Sequence, residues 1–185
     1  MLLLGDEKVG KTTFLSRISG GSESLDGPAP SPFAVLRDID QPFIFELRNR
    51  KYKYRLEFHD TSSPENWRLL RPDLVLICYD ISQRSSLLNM QRVWIKEVHS
   101  TFNNGTLPVV VVGLKRDLRS EDDPNGAIYP QEGYQVSQAM RADKYVECSA
   151  ATGELLKLAF EEICKTAAQT VTEEGGQSEG GCAIL

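Results

Sequence analysis

A chain of 185 residues, 41% of them hydrophobic, has the material for one ordinary core, and nothing in its length calls for a second. The formal net charge of −5 and the lack of a basic stretch exclude nucleic acid as the main partner, because a phosphate backbone is held by a basic face. The four cysteines, Cys78, Cys148, Cys164 and Cys182, show neither CxxC spacing nor metal-ligand clustering, which excludes a zinc site or disulfide framework and fits a reducing, cytosolic setting.

Short apolar runs alternate with longer amphipathic stretches along the chain, the pattern of βαβ units. A strand at Leu2 to Leu4, too short for a secretory leader, runs through a glycine-containing loop into a helix at Lys11 to Ser19. Gly, Ser and Pro then dominate from Gly20 to Pro32, which reads as a loop. Strands at Phe43 to Arg48 and Tyr52 to Asp60 form a hairpin turning at Asn49 and Arg50. A strand at Leu74 to Asp80, a helix at Ser85 to Thr101, a strand at Val109 to Gly113 and an acidic loop from Ser120 to Gly126 follow. The last elements are a helix at Gln131 to Arg141, a strand at Lys144 to Cys148 and a helix at Gly153 to Thr170, with Leu155, Leu158, Ala159 and Glu162 along its stripe. The class is α/β: three layers, a mostly parallel six-stranded sheet with helices on both faces. After about Gln169 almost nothing is apolar, so residues 1–168 are expected to fold as one domain and 169–185 to form a flexible tail.

The first loop carries the most specific signal. Gly5-Asp6-Glu7-Lys8-Val9-Gly10-Lys11-Thr12, followed by Thr13, matches G-x-x-x-x-G-K-[ST] between a strand and a helix. Glycines permit a backbone that turns successive N–H groups toward phosphates, and the helix N-terminus adds its dipole. Lys11 supplies a charge to the β- and γ-phosphates, and the Thr12 hydroxyl is placed to ligate Mg²⁺.

Phosphate alone does not name a base. The strand Val109 to Gly113 ends in Leu114-Lys115-Arg116-Asp117, which resembles the [NT]-K-x-D element of GTPases. There the aspartate accepts two hydrogen bonds from guanine, a donor pair adenine lacks, and the lysine stem packs on the base. Leu114 stands where that element has Asn or Thr, so a tethering hydrogen bond is lost. Glu147-Cys148-Ser149-Ala150 resembles E-[TC]-S-A, where the backbone beside Ser149 and Ala150 meets the guanine carbonyl.

In order and spacing these elements resemble the Ras superfamily from Leu2 to about Ala168. Leu118-Arg119, Pro130-Gln131-Glu132-Gly133 and Tyr145-Val146-Glu147-Cys148-Ser149-Ala150 are most similar to its Rho branch. The resemblance implies a P-loop G domain that binds GTP or GDP with Mg²⁺ and acts as a signalling switch, normally monomeric. It also implies effector proteins, an exchange factor and an activating protein as partners. Members carry several residues ahead of the first strand, more than this chain shows, and a helical insert longer than the segment between Arg119 and Pro130. Asp60-Thr61-Ser62-Ser63-Pro64-Glu65 aligns with D-T-A-G-Q-E, so Asp60 can hold a Mg²⁺-bound water. Ser63 replaces the hinge glycine, Pro64 the glutamine that orients the attacking water, and Glu7 a P-loop glycine. Hydrolysis is therefore expected to be weak. Pro30-Ser31-Pro32-Phe33 best matches the first-switch P-T-V-F, with Ser31 supplying the metal-facing hydroxyl.

Cys182-Ala183-Ile184-Leu185 is a C-a-a-X box whose final Leu favours geranylgeranyl, predicting residence on the cytoplasmic face of a membrane, the plasma membrane first, with a cytosolic pool. Acidic Glu173, Glu174 and Glu179 accompany it in place of a basic second signal, which favours reversible anchoring and extraction by a prenyl-binding carrier. His59 and His99 have no acid or nucleophile partner in sequence, and Trp67 and Trp94 read as packing residues. The competing readings are a pseudoGTPase scaffold without a nucleotide cycle and, more remotely, an adenylate-type kinase.

Overall fold

The computed structural model describes residues 1–21, 25–30, 34–48, 53–60, 64–102, 107–122 and 126–175. In chain order the elements are β1 (Leu2–Leu4), α1 (Lys11–Ser19), β2 (Phe43–Arg48), β3 (Lys53–Phe58), α2 (Pro64–Trp67) and β4 (Val75–Asp80). After them come α3 (Arg84–Asn89), α4 (Ile95–Phe102), β5 (Val109–Leu114), α5 (Pro130–Ala139), β6 (Lys144–Glu147) and α6 (Leu156–Gly175). The hairpin turn expected at Asn49 and Arg50 lies outside the described residues.

All six expected strands form, but in two ladders. β1, β4, β5 and β6 are parallel in the order β1-β4-β5-β6, and β2 pairs with β3 antiparallel. The hairpin meets β1 through one bridge, Leu2 to His59, where Leu3 N–H donates to the His59 carbonyl at 2.9 Å and His59 N–H to the Met1 carbonyl at 3.0 Å.

β1, β4 and β5 are almost wholly apolar because both faces are covered, whereas in β6, Lys144-Tyr145-Val146-Glu147, only Glu147 is buried. Alternation sends Leu3, Leu76, Cys78, Val110 and Val112 to one side, against Phe14 and Leu15 of α1 and Phe160 and Ile163 of α6. Leu2, Leu4, Val75, Ile77, Val109 and Val111 point to the other, against Met90, Ile95, Val98 and Met140. Each such large apolar side chain contributes roughly 1.5–3 kcal/mol on burial. Phe45 packs edge-on to Phe58 with ring centres 5.0 Å apart and reaches Phe160 at 5.8 Å, fastening the hairpin to α6.

Two helices differ from their sequence reading. The helix expected over Ser85 to Thr101 is interrupted by a π-helical turn, Met90–Trp94. In α6 the buried stripe is Leu156, Ala159, Phe160, Ile163 and Ala167, while Leu158 is 59% and Leu155 41% exposed. Leu155 precedes the helix in a left-handed conformation, φ 54°, so the helix starts three residues later than Gly153 with its phase set by Phe160 and Ile163. It also continues to Gly175, five residues past the expected end.

Candidate nucleotide site

Parallel strands deliver their following loops to one edge of the sheet, the place where α/β folds bind ligands. Here that edge gathers residues 5–10 after β1, Asp60 after β3, Asp80 at the end of β4, Lys115 to Leu118 after β5 and Cys148 to Gly153 after β6.

The first loop leaves β1 so close to β4 that a Cβ on Gly5 would run into the Cys78 carbonyl oxygen, and Gly5 has φ 142°, which a side chain would make strained. Gly10 caps α1 without any side-chain cap, so the first-turn N–H groups have no intrahelical acceptor and face the loop's ligand side. The Lys11 ammonium folds across the loop, donating to the carbonyls of Gly5 at 3.0 Å and Asp6 at 2.9 Å. Val9 is buried beneath, and Glu7, Lys8 and Thr13 are exposed. The Asp6 carboxylate turns away into the fold, accepting from Asn89 Nδ2 and from Trp94 Nε1, each at 2.7 Å. Trp94, read from sequence as packing alone, is thus also a hydrogen-bond donor to the loop. The π turn aims it there, and nothing in the residue pattern foretells that turn.

Beside Lys11, the Thr12 hydroxyl donates to Asp60 Oδ2 at 2.5 Å, and Asp60 is buried to 6% exposure. Gln41 holds Asp60 by its backbone, accepting from its N–H and donating to its carbonyl, both at 2.9 Å. Ser16 links α1 to the following segment, donating to the Thr12 carbonyl at 2.6 Å and accepting from Leu36 N–H at 2.8 Å. Among the described residues no three His, Cys, Asp or Glu side chains cluster. One hydroxyl and one carboxylate are instead the hard oxygen pair that suits Mg²⁺, which keeps waters and phosphate oxygens for its other positions. Ser31 and Ser63 lie outside the described residues; Pro64 opens α2.

Across Gly10 lies the second cluster. Lys115, left-handed at φ 58°, donates from Nζ to the Lys8 carbonyl and to the buried Asp80 carboxylate, both at 2.7 Å. Ser149 Oγ donates to Asp117 Oδ1 at 2.5 Å and accepts from Thr152 N–H at 3.0 Å. A cavity of about 230 Å³ is lined by Gly10, Thr13, Lys115, Asp117, Leu118 and Ala150, so one space touches both the helix start and the K-x-D and S-A elements. Behind it Glu147 accepts from Tyr145 and, at 2.6 Å, from Arg119, and Tyr145 shares a 2.8 Å hydrogen bond with Tyr79. Burial, foremost, pushes both phenols well above their ordinary range, so they remain neutral. Burial likewise raises the Cys78 thiol to about 12, which fits an inert core cysteine.

Residues 32–169 match the sequence profile of the Ras family. The chain belongs to the Ras family. Along its whole length it is 29% identical to the GTP-binding protein RHO1 of Candida albicans, covering 94% of that protein. It is likewise 29% identical to the GTP-binding protein RHO2 of Saccharomyces cerevisiae, covering 95% of it. Over 90% of the chain it is 32% identical to the Rho-related GTP-binding protein RhoH of Mus musculus, covering 85%. It is a Rho-like small GTPase of the guanine-nucleotide-binding class, with the α/β fold of that family.

The structure brings residues 5–13, Thr12 with Asp60, and Asp117 with Ser149 to one edge of the sheet. Missed were Arg17, Gln41 and Trp94, each a polar group on an element that reads as ordinary helix or loop. Arg17 had one signal: a charge on the apolar face between Leu15 and Ile18 of α1. Trp67 is buried to 2% exposure and packs 6.1 Å from Phe102, so its reading as a packing residue holds.

Proposed function

We propose that this protein is a GTP-loaded, hydrolysis-impaired switch anchored by a lipid at its C-terminus. The observation that carries the reading is the shared cavity: Gly10 and Thr13 at the uncapped start of α1 on one side, Asp117 and Ala150 on the other, with Ser149 bonded to Asp117. In this reading the backbone of Gly5, Asp6, Glu7, Lys8, Val9, Gly10, Lys11, Thr12 and Thr13 cradles the phosphates. Asp117 reads the guanine edge, the Lys115 stem packs on the ring, and the backbone at Ser149 and Ala150 meets the carbonyl. Thr12 and Asp60 would hold Mg²⁺, with Ser31 completing the set; the ion would neutralise charge between the β- and γ-phosphates.

Impaired hydrolysis rests on side-chain chemistry. Pro64 offers no amide to orient a water, Ser63 replaces a hinge glycine, and Glu7 sets a carboxylate where the incoming water and γ-phosphate require none. Effectors, an exchange factor and an activating protein that brings its own machinery are the partners. Geranylgeranylation of Cys182, outside the described residues, places the protein on the cytoplasmic face of a membrane, and a prenyl-binding carrier supplies the cytosolic pool.

The test is to denature the purified protein, identify the released nucleotide by chromatography, and follow phosphate release from the GTP-loaded form with Mg²⁺. GTP recovered with release below about 10⁻⁵ per second supports the reading, since ordinary family members already turn over at roughly 10⁻⁴ to 10⁻³ per second unaided. GDP with release in that ordinary range overturns the impairment, and a protein that rejects guanine nucleotide leaves a scaffold without a nucleotide cycle.

A further inference from the structure

The base-reading loop after β6 needs a fixed position, and the residue that tethers it in the resembling element, Asn or Thr, is here Leu114. Leu114 is buried to 2% exposure, and its Cδ1 lies 3.8 Å from the point a Cβ on Gly10 would occupy, so it meets the P-loop by apolar contact only. Apolar contact has no direction and cannot orient a loop as a hydrogen bond does.

Two arginines do what Leu114 cannot. Arg17 is almost fully buried, at 1% exposure; its Nε donates to the Ala150 carbonyl at 3.0 Å and a terminal nitrogen to the Gly27 carbonyl at 2.5 Å. One guanidinium therefore joins α1, the segment 25–30 and the S-A loop. The last two also touch directly. Ala29 N–H donates to the Ala151 carbonyl at 2.7 Å, and a Cβ on Gly153, at φ 81°, would strike the Gly27 carbonyl. Arg116 spans the other side. Its backbone N–H donates to the Cys148 carbonyl at 3.2 Å, a terminal nitrogen to Glu154 Oε1 at 2.6 Å, and Nε sits 3.5 Å from Glu147 Oε2, an ion pair without hydrogen-bond geometry. Glu154 in turn closes the loop, its carbonyl accepting from Ser149 N–H at 2.9 Å. Ser149 is the donor to Asp117, so the loop's position sets the orientation of the carboxylate.

The geometry points to Arg17 and Arg116 as positioning residues that together replace the tether lost at Leu114, holding the Ser149 to Gly153 loop against α1 and the K-x-D turn so that bound guanine nucleotide is released slowly. This rests on the guanine-nucleotide reading above. Both guanidinium groups make charge-assisted bonds to carbonyls or a carboxylate, which are stronger than the neutral side-chain tether they stand in for.

The full-length protein is loaded with fluorescent GDP and the dissociation rate measured for wild type, Arg17→Lys, Arg116→Gln and each combined with Leu114→Asn. Thermal unfolding is followed in parallel. Arg17→Lys keeps the buried charge but loses the fork, and Arg116→Gln changes a partly exposed side chain, so at least one folded variant is secured. Expected is release faster by roughly tenfold in each single variant, with Leu114→Asn restoring much of the loss. The preference for GDP over inosine diphosphate, which lacks the exocyclic amine, should shrink as well. A loss of thermal stability with unchanged release rate and unchanged base preference overturns the proposal, leaving a structural role only. Wild type that takes up no labelled GDP is recognised before any variant is made and overturns the underlying reading; wild type that loads while the variants release normally overturns this proposal alone.

Discussion

The base-reading end and the switch end of the nucleotide edge are built differently. At the base end charged and polar groups are cross-connected around buried Asp80, Glu147, Ser149 and Arg17: Lys115 bonds to Asp80 and Lys8, Ser149 to the exposed Asp117, Arg119 and Tyr145 to Glu147, and Arg17 to Ala150. At the switch end Asp60 is held by Thr12 and Gln41, but the pair Arg37 and Asp40 stands in solvent at 75% and 43% side-chain exposure, where an ion pair contributes little. Ile39, between them in sequence, and Leu69, just after α2, are each 83% exposed. Buried polar networks fix one geometry, whereas exposed apolar side chains await a partner. The difference is what the proposed hydrolysis-impaired switch calls for: a fixed base end and a surface open to partners.

The sharpest way to break that picture is at the base end. Asp117→Asn leaves shape intact but presents an amide where guanine requires two acceptors, so GDP affinity in a binding titration should fall by at least about a hundredfold. Near-normal affinity would mean that Asp117, despite its bond to Ser149, does not read the base.

The switch end should respond in the opposite direction. Replacing Glu7 by Gly, Ser63 by Gly and Pro64 by Gln together supplies the missing hinge and water-orienting amide. Single-turnover phosphate release should rise about tenfold or more, into the range of unaided family members. If the triple variant stays as slow as wild type, impairment lies elsewhere on the switch side, with the first-switch threonine that Ser31 was expected to replace as the next suspect.

How legible all this was from sequence follows the same divide. Motifs proposed to hold the nucleotide are short and local, so Lys11, Thr12, Asp60, Lys115, Asp117 and Ser149 could be named as candidates from their neighbours in the chain. Strands β1, β4 and β5 could be named because burial on both faces leaves them almost continuously apolar. What escaped was long-range: Arg17 bonds across 133 residues to Ala150, and Trp94 across 88 to Asp6. The phase of α6 was misread because Leu155 and Leu158 are apolar yet face solvent, and periodicity alone cannot tell which of two overlapping stripes is buried.

A smaller effect should appear where the P-loop meets the π turn. Asn89→Ala and Trp94→Phe each remove one donor from the Asp6 carboxylate while leaving Lys11 in place. Either should speed GDP release about fivefold in stopped-flow exchange, about 1 kcal/mol, because the Asp6 carboxylate keeps its other donor and only part of the lost bond is felt at the loop. Rates equal to wild type would show that the loop keeps its shape through Gly5 and Lys11 alone, and Trp94 would return to being a packing residue.

The smallest expected effect concerns His59, whose backbone carries, among the described residues, the one bridge between hairpin and β1. Burial foremost, then the nearby Met1 amino group, lowers its imidazole below the usual 6.5, with Glu57 opposing. In the unfolded chain the ring takes its proton near 6.5, whereas in the fold it waits for a lower pH. As pH falls through that window the unfolded state binds more protons, so stability drops, and the loss is complete once pH passes below the folded value. His59→Asn removes the linkage. The ring is partly exposed, so comparing thermal midpoints of wild type and His59→Asn between pH 7.5 and 5 should show wild type losing only one or two degrees more, an order-of-magnitude figure. Parallel curves would mean that water reaches the ring freely, and that the hairpin sits more loosely on β1 than its hydrogen bonds to Met1 and Leu3 imply.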